Sequence, residues 1–272
     1  MEITKKVSRS RLGNFKWLLI IAVSLLFIGW IFNTPSGLLG KADAIGYAVC
    51  HRIDSRSFHI GDRQVPLCAR CTGMFLGAML GLGYQAFFSR KRSGSPSVQV
   101  IVVLVIFVFA FIVDGLNSYV SLIPGIKSVY EPLNILRLIT GTGVGLVIAA
   151  ALFPAFNQSV WKKIDRNPAL GDLRSLGILV VLALFMDLVV LTENPFFLYP
   201  LALVSAAGVV VLLAIVYTII FIMLFRKECQ YSKMKDLVYP LIAGFGMALI
   251  QIALLDIVRY WLTGTWDGFH LG

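Results

Sequence analysis

Long apolar runs separated by short polar breaks dominate the chain. Seven runs reach or approach the roughly 20 residues that carry a helix across about 30 Å of hydrocarbon. They are Phe15 to Phe32, Cys71 to Phe88, Val98 to Val113, Leu133 to Phe153, Ser175 to Leu191, Leu198 to Phe225 and Val238 to Leu262. Breaks of the expected kind stand between them: Asn33-Thr34-Pro35, Ser93-Gly94-Ser95-Pro96, Pro124-Gly125, Asn167-Pro168 and Asn194-Pro195. The pattern predicts an all-α membrane protein of about seven transmembrane helices in a single polytopic domain spanning residues 1–272. The third run is short and the sixth long, so tilt or a kink is expected in the sixth. The first run lacks a small-residue cleavage site and reads as an anchor.

Composition agrees. Hydrophobic residues make up 58% of the 272, mean hydropathy is +0.84, and only 14% are charged, well below the roughly 25% of soluble domains. The formal net charge of +10 invites a nucleic-acid reading that its distribution argues against. Lys5, Lys6, Arg9, Arg11 and Lys16 precede the first run. Arg90, Lys91 and Arg92 follow the second, Lys162, Lys163, Arg166 and Arg174 the fourth, and Arg226, Lys227, Lys233 and Lys235 the sixth. These 16 of the 24 basic residues fall on one side, which the positive-inside rule makes the cytoplasm. The expectation is a multi-pass protein of the cell membrane with its N-terminus inside and C-terminus outside. Its partners are the lipid bilayer and, on the cytoplasmic face, anionic headgroups.

That orientation places Asn33 to Arg70 outside. The segment breaks the charge rule with Lys41, Arg52, Arg56, Arg63 and Arg70 against Asp43, Asp54 and Asp62, and it holds unusual chemistry. Cys50, Cys68 and Cys71, three of four cysteines, fall within 22 residues beside His51 and His59. Cys229 belongs to a cytoplasmic loop and is expected to be a lone thiol. Ionisable residues in and near the spans gather toward the same outer half: Asp114, Glu131, Arg137, Asp187, Glu193, Asp256 and Arg259, followed by His270. Such residues in hydrocarbon face a partner or a wet cavity; for Asp256 and Arg259, three apart, mutual pairing is the plain alternative. Asn134, Arg137 and Gly141 share one stripe of the fourth span. Glycines 77, 81 and 83 in the second span and 141, 143 and 145 in the fourth are expected to allow close helix packing.

Cys50-His51-Arg52, Arg56-Ser57-Phe58, Pro66-Leu67-Cys68-Ala69-Arg70-Cys71-Thr72-Gly73, Asp114-Gly115 and Asn134-x-Leu136-Arg137-x-x-Thr140-Gly141 together resemble the signature of domain of unknown function family 2085, small multi-pass membrane proteins. The resemblance covers about residues 46–145, with Asp54-Ser55 standing where the pattern leads one to expect Pro-Glu. It implies a membrane protein carrying this motif and supplies no activity, so the chemistry rests on the residues.

Those residues allow several readings. Three cysteines and a histidine make a Cys3His zinc set, and Cys68-x-x-Cys71 has chelating spacing. Cys50, Cys68 and Cys71 are the expected ligands, with His51 or His59 fourth and His270 a distant candidate. Arg52 and Arg70 then offset thiolate charge or hold an anion beside it, with Asn134. A thiol-disulfide oxidoreductase handing electrons to a quinone through Cys68 and Cys71 is the competing layout. A third reading makes Asp114, Glu131, Asn134 and Arg137 a site for an anionic or phosphorylated lipid, as in a transporter or lipid-modifying enzyme. A plain disulfide closing the outer loop is the fourth. Asp114, Glu131 and Arg137 are the candidate catalytic groups if the metal keeps an open position.

Overall fold

The computed structural model describes residues 2–123 and 125–268, with side chains from residue 17 onward. Eight α-helices make up most of it: α1 Glu2–Asn33, α2 Gly37–Val49, α3 Ala69–Phe88, α4 Val98–Val120, α5 Asn134–Val160, α6 Leu173–Leu191, α7 Pro195–Leu224 and α8 Val238–Thr263. Six of them, α3 to α8, are long and apolar enough to cross a membrane unaided. The apolar part of α1 and the short α2, bent by 105° at the break between them, would make a seventh crossing if taken as one span. The multi-pass all-helical architecture expected from the hydropathy pattern is what the chain adopts.

Helix starts follow local chemistry. Asp172 accepts from the Ser175 amide at 2.7 Å to cap α6, and Asn194 accepts from the Phe196 amide at 3.0 Å ahead of Pro195 at the first position of α7. Gly264, at φ 70°, ends α8. Outward faces carry exposed Val105, Phe109, Val181, Phe185 and Leu188, the side chains a lipid environment would cover.

Two differences from the hydropathy pattern have a physical cause. Helix α4 runs seven residues past Val113, because Asp114, Asn117 and Ser118 are buried against protein partners and not against lipid. The outer segment, expected as an open loop of 33–70, contains α2, whose small residues Gly40, Ala42, Ala44 and Gly46 are buried. A single 3-10 turn, Asp54–Arg56, follows, then a hairpin of β1 His59–Ile60 and β2 Arg63–Gln64.

Helices α3 and α5 form the tightest pair. A Cβ at Gly77 would sit 2.5 Å from the Thr142 carbonyl oxygen, and one at Gly145 would sit 2.6 Å from the Ala78 nitrogen; Gly141 meets the Arg70 carbonyl more closely still. Gly81 is likewise packed, against Ala149, whereas Gly83 has open space around it and plays no part in the seam.

The two ends of the bundle differ. At one, β3 Arg92–Gly94 pairs with β4 Asp165–Pro168, Trp161 bridges Tyr231, and Lys91 lies over the Trp161 ring at 4.5 Å. The basic loops after α3, α5 and α7 therefore meet on one face. At the other end the α2–α3 segment meets the C-terminal ends of α4, α6 and α8 and the start of α5.

Candidate metal centre

Two chain segments bring the sulfurs together. Gly46, in the last turn of α2, has no side chain and so lets that turn lie against the Pro66 carbonyl. Cys50 closes α2 as its C-terminal cap, with its amide donating to the Gly46 carbonyl at 2.8 Å. Cys68 is the N-cap of α3 and Cys71 lies in its first turn. The three sulfurs lie within 4.8 Å of one another, with Cys50 and Cys68 buried and Cys71 partly so, and none is joined in a disulfide. Apolar side chains of Phe75, Val209 and Leu213 wall the cluster.

The electrostatics favour negative charge there. Hydrogen bonds from the Cys68 and Cys71 thiols hold the Cys50 thiol well below the ordinary thiol range, and the backbone amides of Cys68 and Arg52 add to the effect. Arg52 reaches this geometry at φ 51°, a left-handed conformation that β-carbon sterics disfavour. Donation to Cys50 in turn pushes the Cys68 thiol up to about 12. Three sulfurs thus lie together at the N-terminus of α3 with a backbone amide donating to one of them, an arrangement suited to capturing a soft or borderline cation. In tetrahedral zinc–thiolate geometry the sulfurs stand about 3.8 Å apart, within small adjustments of the spacing found.

The histidines lie elsewhere. The Nδ1 of His51 accepts from the Ile53 amide at 3.1 Å, and burial lowers this imidazole below its ordinary range. His59 Nε2 lies 2.9 Å from an Asp54 carboxylate oxygen. Neither completes a set with the sulfurs, and among the described residues the cluster of metal-ligating atoms consists of the three cysteines alone. His270, the distant candidate, lies outside the described residues. Cys229 is at the opposite end of the bundle, its amide bonded to the Ser159 carbonyl.

Around the sulfurs, Arg52 pairs with Asp43 at 2.9 Å and donates to the Trp266 carbonyl at 3.3 Å. Arg70 pairs with Asp114, which also accepts from the Tyr130 hydroxyl at 3.1 Å. Arg137 donates to the Asn134 side-chain oxygen at 2.7 Å, and Asn134 donates to the carbonyls of Ser55 and Ser57. Glu131 is exposed and forms none of the ion pairs found. Asp187 accepts from Thr142 at 2.7 Å, deeper in the bundle.

Two site residues take partners that the sequence reading did not name. Arg56 donates to the Ser118 carbonyl at 3.0 Å; its sequence signals are the Arg-Ser-Phe triplet and its place among the basic residues of the outer segment. Arg259, for which pairing with Asp256 was the plain alternative to a wet cavity, donates to the Cys50 carbonyl at 2.6 Å and lies 4.0 Å over the Tyr47 ring. Asp256 accepts from the Trp30 indole at 3.2 Å. It lines a separate apolar cleft of about 870 Å³ between α1 and α8 with Trp30, Tyr260, Trp261 and Trp266.

Comparison with known proteins places this end of the molecule in context. An uncharacterised protein of Methanocaldococcus jannaschii is 28% identical over 161 residues, covering 54% of this chain and 97% of the relative. No solved structure matches. The model of a family described as predicted membrane protein, DUF2085, matches residues 50–151. All three cluster cysteines and Arg52, Arg56, Arg70, Asp114, Asn134 and Arg137 lie within the stretch that this model matches, while Asp43, Val209, Leu213 and Arg259 join the site from outside it.

Proposed function

We propose that this multi-pass membrane protein binds one borderline or soft metal ion, zinc foremost, through Cys50, Cys68 and Cys71 on its extracytoplasmic face. The observation that carries the reading is the convergence of three sulfurs from two separate segments within 4.8 Å, supported by amide donors from Cys68 and Arg52. A structural zinc site closes with four protein ligands, whereas a site that handles an exchangeable ligand keeps one position open. Among the described residues the set holds three sulfurs and no histidine, an arrangement that favours the open kind, its fourth position taken by water, by a ligand from outside or by a residue beyond those described. Location in the cell membrane with the site outward rests on the sidedness of the basic loops.

The redox alternative, a Cys68/Cys71 exchange passing electrons to a quinone, draws on the lowered Cys50 thiol and the placement of Cys68 at a helix N-terminus. Elemental analysis of detergent-purified protein, with a thiol count before and after chelation, separates the two. The metal reading expects about one zinc per chain and three thiols that react only after chelation. Metal-free protein with two of the cysteines oxidised would replace it with thiol-disulfide exchange.

A further inference from the structure

Three arginines from three elements meet beside the sulfurs: Arg56 from the 3-10 turn, Arg70 from the first turn of α3 and Arg137 from the first turn of α5. Their charges act on one another and reach His51 and Cys68. Among the described residues Asp114 is the carboxylate that forms an ion pair with one of them, Arg70, and it also accepts from Tyr130. No ion pair among the described residues includes Arg56 or Arg137. Arg56 has the Ser118 carbonyl and the Ser121 hydroxyl, and Arg137 has the Asn134 side-chain oxygen; all are neutral acceptors.

Charge and hydrogen-bond accounting both leave something over. Asp114, paired with Arg70, supplies one negative charge against three guanidinium charges. The Nε donors of Arg70 and Arg137 are buried with no acceptor, and Arg137 is only 6% exposed. Buried guanidinium donors without acceptors are costly, so an anionic acceptor is the group this constellation lacks. Arg137 is also held ready. Its orienting Asn134 has a fixed amide, the oxygen facing Arg137 and the nitrogen facing the Ser55 and Ser57 carbonyls.

We propose that Arg56, Arg70 and Arg137 form a binding site for a phosphate-class oxyanion beside the sulfur cluster. Guanidinium groups arriving from three elements suit an anion that offers several oxygens in different directions, as a tetrahedral phosphate does. The source is either a soluble phosphate compound or the headgroup of a lipid in the adjoining leaflet, and the site is independent of whether the sulfurs hold metal.

The test uses the full chain. In detergent, the unfolding midpoint is followed against inorganic phosphate at constant ionic strength, with chloride as the counter-series. In phosphatidylcholine nanodiscs with or without phosphatidic acid, native mass spectrometry counts retained lipid. A saturable response to at least one probe is expected; phosphate alone identifies a soluble ligand, and retained phosphatidic acid alone a headgroup. Arg137→Gln should weaken the response about tenfold or more, the size of a lost charge-assisted contact. The half-exposed Arg56→Gln keeps the test open if Arg137→Gln does not fold, and should weaken binding in the same direction while leaving metal content unchanged. Arg63→Gln, an exposed arginine paired with Asp43, should bind as wild type. No saturable response to either probe, or an unaltered response in folded Arg56→Gln, would overturn the proposal.

Discussion

The backbone amide of Cys68 donates to the sulfur of Cys50 across 3.3 Å. This contact ties the end of α2 to the start of α3 and adds to the thiol hydrogen bonds that lower the Cys50 thiol. Replacing Cys68 by Ser retains the amide but removes a ligand. We expect folded yield and metal content to fall together, because metal binding and folding are linked. Elemental analysis of the folded fraction checks this, and retained metal would remove Cys68 from the site.

Gly46 allows the approach without being a ligand. A methyl group there would overlap the Pro66 carbonyl, so Gly46→Ala should push α2 away from the Cys68 segment and lower metal occupancy with all three sulfurs present. Gly83→Ala, at a position with open space, should leave occupancy and unfolding midpoint near wild type. Equal metal content in both variants would show that the site tolerates the displacement.

Asp114 is buried and faces Arg70 and Tyr130. Removing one partner of a buried pair costs about 3 kcal/mol or more, so Asp114→Ala should destabilise the protein by roughly that amount. In a double-mutant cycle with Arg70→Ala, the second substitution should cost much less than it does alone. Additive unfolding energies in detergent would mean that the pair contributes little.

Cys229 is exposed at the end of the bundle where the basic loops meet. An impermeant maleimide should label it in inside-out vesicles and not in intact cells, if the basic face is cytoplasmic as the positive-inside rule requires. Labelling from outside intact cells would invert the topology and place the sulfur cluster inside.

Legibility in the sequence followed the range of the forces involved. Spans α3 to α8 were readable because burial in lipid demands long apolar runs, and the grouping of Cys50, Cys68 and Cys71 because it lies close in sequence. Helix α2 was not: thirteen residues with three glycines, three alanines, Lys41 and Asp43 carry no long apolar signal, and its helicity comes from packing. The histidines were assigned by residue type, but local contacts with the Ile53 amide and Asp54 hold them away from the sulfurs. Arg56 and Arg259 acquire roles only through partners 62 and 209 residues away, a relation that spacing along the chain does not record.

The glycine seam between α3 and α5 has a mechanical meaning. With backbones in contact at Gly77, Gly141 and Gly145, the two helices behave as one beam, and side chains fixed to its end cannot shift relative to each other. Cys68, Cys71 and Arg70 sit on one half of that beam and Arg137 on the other. The spacing between the Cys68–Cys71 backbone and that of Arg137 is therefore set by the seam, and movement at the site would fall first to parts outside it, such as the α1–α2 elbow that carries Cys50, or α8.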